Sequence, residues 1–285
     1  MTSLRDLLRL TKPHILLVST LVAAGGMALA PDPTTPGRML LTLLGVGLIV
    51  GGASALNMYV ERDLDRLMTR TQDRPLPAGR LTPRTVLVFG LALCTAATLL
   101  LALWVNLLTA AVGLVGLAGY IGLYTPLKRR TPLALLVGAI PGALPPLMGW
   151  TAATGRISLP GLVLFSTLFL WQIPHFMAIA IYRRGEYARA GFRTAVDAVG
   201  ERRAWTRIVI YSLSLLVVSL VLLPLGVAGW IYASSATVLG LGLLAVGIVG
   251  MRQLTDRRWA VRFFRATLVY LPLLAVGLVL DRALG

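Results

Sequence analysis

Apolar residues come in nine long runs along the chain, separated by short polar, basic or proline-rich joints. The runs cover approximately residues 14–30, 39–57, 85–104, 107–124, 133–152, 159–181, 206–224, 229–250 and 263–280. A bilayer core needs about 20 consecutive apolar residues per helix. The pattern therefore predicts an all-α, polytopic membrane protein: a bundle of nine transmembrane helices forming one domain over residues 1–285. Glycine triplets at helical spacing, Gly113, Gly116 and Gly119, and the set Gly45, Gly51 and Gly52, predict close helix packing. Pro141, Pro145 and Pro146 predict a break or bend in the fifth run. The first run, preceded by Lys12 and followed by Ala28-Leu29-Ala30, imitates a secretory signal. Its length favours an uncleaved helix.

Composition agrees. Of 285 residues, 57% are hydrophobic and 13% charged, about half the charge of an ordinary soluble domain, and the mean hydropathy is +0.81. Soluble enzyme and disordered chain are both excluded. The single cysteine, Cys94, excludes an intrachain disulfide or a cysteine metal cluster. The net charge of +16 would suit nucleic acid if it formed a basic face. It does not: 24 of the 27 Lys and Arg fall at the N-terminus or in alternate joints, leaving Arg38, Arg156 and Arg282 for the other side. That asymmetry is a topology signal. It places the N-terminus in the cytoplasm, the simplest address being a bacterial inner membrane, and excludes a nucleic-acid partner.

The acids are few and lie outside the runs. The densest cluster is Asn57-Met-Tyr-Val-Glu61-Arg-Asp63-Leu-Asp65. If the second helix continues past residue 57, Asn57, Glu61 and Asp65, spaced i, i+4, i+8, share one face and Asp63 points away. Two carboxylates and an amide suit Mg²⁺, which takes one or two carboxylates and completes its shell with phosphates and water. On spacing alone, a solvated helix end neutralised by Arg62, Arg66 and Arg70 is an equal reading. A second acidic end follows the sixth run at Glu186, beside Arg184, and Tyr124-Thr-Pro-Leu-Lys128-Arg129-Arg130 follows the fourth. Carboxylates with metal, beside Lys and Arg, can hold a diphosphate. No carboxylate sits mid-run, which speaks against a transporter.

With these residues in view, the chain resembles the UbiA-type intramembrane prenyltransferases, and within them the protohaem IX farnesyltransferase (haem O synthase) group. The resemblance runs along nearly the whole chain. Leu10-Thr-Lys-Pro-His-Ile15 is similar to that group's first-helix start, and Asn57 to Asp65 matches the N-x-x-x-[DE]-x-x-x-D motif. The runs NMYVERDLDRLMTRTQDRPLPAGR, Tyr124 to Pro132, Gly142 to Trp150, Trp171-Gln-Ile-Pro-His-Phe176 and Glu186 to Gly191 fit the same group. Glu61 and Glu186 stand where Asp is usual, His14 stands where Arg is common, and residues 192–199 depart from the group's pattern.

The resemblance implies Mg²⁺-dependent transfer of a farnesyl group from farnesyl diphosphate to a vinyl group of protohaem IX, giving haem O, on the cytoplasmic side of the membrane. A UbiA-type enzyme with a hydroxybenzoate or quinone-precursor acceptor is the alternative. Asn57, Glu61, Asp65 and Glu186 would be the catalytic and metal-binding residues. Lys128, Arg129, Arg74 and Arg184 would bind diphosphate. Tyr120, Tyr124 or Trp171 would offer ring faces to the farnesyl cation. His175 is the candidate haem contact, the competing reading being a bond to the carbonyl that Pro174 frees, and His14 is an interfacial residue. The implied partners are farnesyl diphosphate, protohaem IX and the lipid bilayer, with a haem A-forming enzyme as a candidate protein partner.

Overall fold

A computed structural model describes residues 3–31, 34–68, 71–128, 130–189, 194–254 and 256–284. Among the described residues all regular structure is helical. The helices are α1 (Leu4–Leu10), α2 (Pro13–Ala28), α3 (Pro36–Asp65), α4 (Pro83–Trp104), α5 (Leu107–Leu127), α6 (Ala134–Thr154), α7 (Leu159–Tyr182), α8 (Arg184–Arg189), α9 (Ala195–Val199), α10 (Glu201–Leu220), α11 (Trp230–Arg252) and α12 (Arg258–Leu284).

Eight of them, α3 to α7 and α10 to α12, are long and apolar enough to cross a bilayer. They coincide with the last eight runs read from the sequence. The first run falls on α2, which has 16 residues. Joined to α1 it passes the same test, but the pair is bent by 54°. The bend has a local cause. Pro13 lacks an N–H and disfavours the α conformation in the residue before it. Lys12 accordingly takes a left-handed backbone, φ 50°, the one described non-glycine residue with positive φ.

Helix starts follow the same chemistry elsewhere. Pro36 and Pro83 open α3 and α4, and the side chains of Thr35 and Thr82 accept from the N–H groups of Arg38 and Thr85. Asn106 caps α5 in the same way, accepting from the N–H of Thr109 at 2.8 Å. Each cap satisfies a donor that the first helical turn leaves unpaired. The helix α6 runs unbroken through Pro141, Pro145 and Pro146, so the expected break is not there.

The chain divides into two compact units. One comprises Met1–Arg129 with Leu144–Ile157, the other Arg130–Ala143 with Ser158–Gly285. In the first, small residues let backbones touch. A Cβ on Gly52 would lie 2.5 Å from Cys94 Sγ and 2.9 Å from the Gly90 carbonyl, so at Gly52 α3 packs directly on the Cys94 thiol and the Gly90 backbone of α4. A Cβ on Gly149 would lie 1.9 Å from the carbonyl oxygen of Ala23 in α2. In the second unit, Trp205, Ile208 and Phe263 are fully buried between α10 and α12. Asp281, near the end of α12, accepts hydrogen bonds from the N–H groups of Gly229, Ile231 and Tyr232 at the start of α11. A carboxylate there meets the positive end of the helix dipole. Large apolar side chains such as Leu103, Leu107, Val115, Val238 and Val279 remain exposed, as they must where lipid is the solvent.

Because Gly149 meets backbone, which cannot swing aside, Gly149→Val is expected to cost ~1–3 kcal/mol through overpacking. Gly25→Ala, where nothing lies within 4 Å of the added methyl, is expected to leave stability unchanged or slightly raised. Thermal unfolding of both variants in detergent checks the contrast.

Candidate active site

The 30 residues of α3 give a helix about 45 Å long, against a hydrocarbon core of about 30 Å. The helix does continue through Asp65, so the condition for a shared face is met. Asn57, Glu61 and Asp65 are 2%, 5% and 4% exposed. Asp63, on the other side, has 74% of its side chain exposed and pairs with Arg62. The solvated helix end is therefore excluded: the three oxygen-bearing side chains face inward, and Arg66 is exposed.

Three segments of the first unit bring polar groups to that face. The turns after α3 bring Arg74, whose guanidinium donates to Asp65 Oδ2 at 2.6 Å. Thr71 donates its hydroxyl to the Asp65 carbonyl at 2.8 Å. Leu76 and Leu81 anchor these turns among Leu10, Ala55, Met58 and Val86. Arg80, pairing with Asp6 at 3.1 Å, ties them to α1.

The second segment is the end of α5. Gly119–Tyr124 is π-helical, and the added residue turns everything after it by about 100° relative to an uninterrupted α-helix. Tyr120 and Tyr124 stack with ring centroids 5.5 Å apart. Thr125 donates its hydroxyl to the Tyr120 carbonyl at 2.8 Å and accepts from Asn57 Nδ2 at 3.2 Å. The Lys128 ammonium lies against Glu61 Oε1 and 5.8 Å from the centre of the Tyr124 ring.

The third segment is the joint between α1 and α2. Lys12 Nζ donates to Asn57 Oδ1 at 3.4 Å. The Asn57 amide is thus fixed at both ends, oxygen toward Lys12 and nitrogen toward Thr125.

The sequence pattern does not single out Lys12 or Thr125. Nothing in their spacing relative to Asn57 marks them, since 45 and 68 residues separate them from it. The signal for Lys12 is a charged residue held in left-handed backbone, a costly conformation of the kind that clusters at functional sites. It is visible only in three dimensions. Arg129 lies outside the described residues.

The remaining candidates belong to the second unit. Glu186 is half exposed, with Arg183 Nη1 3.4 Å from its Oε2. Arg184 donates to Asp197 Oδ1 at 2.9 Å. Partial burial works against ionisation of Asp197, but hydrogen bonds from the Thr194 hydroxyl, Arg184 and the Thr194 N–H outweigh it, so its carboxyl titrates below the usual range. His175 does not bond the carbonyl freed by Pro174. Its Nδ1 meets the Thr267 hydroxyl at 2.7 Å. Trp171 stacks on it at 4.7 Å. The exposed His14 fits the interfacial reading.

What this set can do follows from its donors. On one buried surface it offers two carboxylates and an amide, with three cations on them. Among the described residues no group of three or more His, Cys, Asp or Glu gathers, so the protein builds no complete metal cage there. Two carboxylates fit a hard cation such as Mg²⁺ only if another molecule supplies further oxygens. Lys12, Arg74 and Lys128 suit an anionic molecule of that kind.

Comparison with known proteins supplies the family. The profile described as the UbiA prenyltransferase family matches residues 16–269, and the chain belongs to that family: it is a prenyltransferase embedded in the membrane. It is 50% identical to protoheme IX farnesyltransferase of Anaeromyxobacter sp. (strain Fw109-5) over 97% of this chain and 93% of that one. It is 45% identical to the protein of that name from Myxococcus xanthus (strain DK1622), over 97% and 94%. In fold it is similar to digeranylgeranylglyceryl phosphate synthase, TM-score 0.84 at 13% identity, covering 99% of both chains. It is also similar to a UbiA homolog from Archaeoglobus fulgidus bound to GPP and Mg²⁺, TM-score 0.67 at 16% identity, covering 96% and 99%.

Because Arg74 and Asp65 are in direct contact, substitutions at the two are expected to behave non-additively. Arg74→Met and Asp65→Leu should each lower the melting temperature, and the double variant should lower it by less than the sum. Strict additivity in a double-mutant cycle of detergent-solubilised protein would show that the pair is not coupled.

Proposed function

We propose that residues 1–285 act as one prenyltransferase domain that transfers a farnesyl group from farnesyl diphosphate to a vinyl group of protohaem IX, giving haem O. The observation that carries this reading is the buried Asn57–Glu61–Asp65 face with Lys128 and Arg74 on it, in a chain whose relatives at 45–50% identity bear the protoheme IX farnesyltransferase name. The GPP and Mg²⁺ bound to the Archaeoglobus fulgidus homolog support a metal–diphosphate reading for this chain.

In the reaction the bond between farnesyl C1 and the diphosphate oxygen breaks. A carbon–carbon bond forms to the terminal vinyl carbon, and water adds its oxygen to the inner one, releasing a proton. Glu61, Asp65 and the Asn57 amide oxygen would hold Mg²⁺, which when bound neutralises the charge that develops on the leaving diphosphate. Lys128, Arg74 and Arg129 bind the diphosphate oxygens and stabilise that charge more in the transition state than in the ground state. Lys12 joins them. In moving from carboxylate to substrate, Lys128 and Arg74 exchange one anionic partner for another, so each keeps a counter-charge throughout. The stacked Tyr120 and Tyr124 offer π-faces to the allylic cation, and the apolar helix surfaces keep water from capturing it early. Glu186 and Arg184 are proposed as a further carboxylate and cation for the same reaction, on the resemblance of the run from Glu186 to Gly191. The basic asymmetry supports a cytoplasmic N-terminus, a bacterial inner-membrane location and chemistry at the cytoplasmic face.

Expression of the full chain in cells that lack haem O, followed by pigment extraction, tests the donor and acceptor together. The expected product is a haem heavier than protohaem by one farnesyl group and one hydroxyl group. Prenylated hydroxybenzoate, with no such haem, would move the acceptor to the alternative class. Solute uptake into liposomes without diphosphate release would favour a transporter. Glu61→Gln and Asp65→Ala are each expected to lower turnover by at least ~10²-fold, the scale for removing one group that stabilises developing charge. Removal of Mg²⁺ with a chelator should do the same. Full turnover in both variants would refute the site.

A further inference from the structure

In the second unit, the hydroxyl of Thr267 makes two contacts that fix where a proton sits. Thr267 is fully buried. Its Oγ1 lies 2.6 Å from the Phe264 carbonyl oxygen and 2.7 Å from His175 Nδ1. A carbonyl only accepts, and a hydroxyl has one hydrogen. That hydrogen goes to Phe264, so toward His175 the oxygen presents only lone pairs. Nδ1 must therefore carry the proton and donate it. A neutral imidazole has one N–H, which leaves Nε2 as the nitrogen with the lone pair.

The ring is held on other sides as well. Trp171 stacks on it at 4.7 Å and 21°, and the Trp171 indole N–H is itself anchored to the Thr267 carbonyl at 3.0 Å. The Phe264 and Phe176 ring centroids lie 5.0 and 5.2 Å away. Thr267 thus positions both rings, His175 through its hydroxyl and Trp171 through its carbonyl. His175 keeps 8% of its surface exposed, and among the described residues no hydrogen bond engages Nε2.

An imidazole that donates from Nδ1 to an oxygen and keeps Nε2 basic is the arrangement by which proteins prepare a histidine to bind a metal. No pair of further protein ligands accompanies it, since the described residues gather no group of three or more His, Cys, Asp or Glu. A lone histidine suits a metal that arrives with its other donors in place. Iron in a porphyrin does so, needing only an axial nitrogen. The Phe176 ring, at 78° to the imidazole, lies near the angle that the plane of an axially bound macrocycle takes to its histidine, and suits a flat, apolar face.

We infer that His175 Nε2 is the axial ligand of the haem iron in the bound acceptor, and that Thr267 is the positioning residue that sets its tautomer. The inference rests on protohaem being the acceptor. The ligand enters as substrate and leaves as product, so the bond holds it only for the reaction.

The test is spectroscopic and needs no turnover. Ferric protohaem is titrated into the purified full chain in nanodiscs, and the Soret band and electron paramagnetic resonance spectrum are recorded. Wild type is expected to show histidine-ligated iron. His175→Ala is expected to lose that signature, and added imidazole to restore it, which also shows that the variant is folded. Thr267→Val is expected to weaken haem affinity by about 10- to 100-fold, the effect of removing the partner of a metal-ligating histidine. Thr267→Ser, which keeps the hydroxyl, should bind like wild type. Identical spectra for wild type and His175→Ala overturn the inference. If those spectra match while turnover falls, His175 acts on the substrate in another way and the ligation is likewise refuted, with the acceptor reading intact. If wild type neither binds haem nor forms a farnesylated haem, yet releases diphosphate with another acceptor, the acceptor reading fails and the ligation with it.

Discussion

Two carboxylates one helical turn apart are buried at the C-terminal end of a long helix, and the rest of the first unit is arranged around that fact. Glu61 and Asp65 stand about 6 Å apart as i, i+4 neighbours. At an effective dielectric constant of about 20, they repel by ~3 kcal/mol. The carbonyl end of α3 carries partial negative charge of its own and adds to the cost. Such a face can be buried only if cations are brought to it. Lys128 comes from the end of α5, Arg74 from the turns that follow α3, and Lys12 reaches the adjacent Asn57 from the joint between α1 and α2.

Each cation is delivered by a local irregularity, and each irregularity has its own support. The π-helical stretch at Gly119–Tyr124 sets the register of Thr125 and Lys128, and the hydrogen bond from Thr125 to the Tyr120 carbonyl closes it. The turns carrying Arg74 are anchored by two leucines in the core and by Thr71 on the Asp65 carbonyl. Lys12 sits in left-handed backbone, which costs a non-glycine residue of order 1–3 kcal/mol. Pro13 disfavours the α alternative, and the bond to Asn57 holds the side chain. Irregular backbone of this kind is tolerated near a membrane because it is packed inside protein rather than against lipid.

Around His175 the second unit uses neutral hydrogen bonds where the acidic face of the first uses charge. One threonine between a carbonyl and an imidazole decides a tautomer, because a hydroxyl with a single hydrogen cannot donate twice. An aromatic stack does the rest. The two kinds of polar cluster match the two kinds of substrate proposed: an anion that needs cations and oxygen donors, and a flat metalloporphyrin that needs a ring face and one nitrogen.

Eight of the nine helices read from the chain lie where their apolar runs put them, because length and hydropathy alone decide whether a helix fits a bilayer. The shared face of Asn57, Glu61 and Asp65 was likewise legible, since a period of 3.6 residues is a property of the backbone. Lys128 and Arg74 stood among the expected diphosphate cations, and the fold brings them onto Glu61 and Asp65. The bend before α2, the unbroken course of α6 through three prolines and the π-helical turn were not legible. The bend brings the Lys12 side chain to Asn57, and the π-helical turn is closed by Thr125 on the Tyr120 carbonyl, contacts that no local pattern shows. Nor could spacing choose between a solvated and a buried acidic helix end, or between a carbonyl and a hydroxyl as the partner of His175. Which residues are apolar and which share a helix face can be read along one segment. Which charges meet and which nitrogen keeps its lone pair cannot, because key partners come from distant segments, Lys12 and Asn57 being 45 positions apart and His175 and Thr267 92.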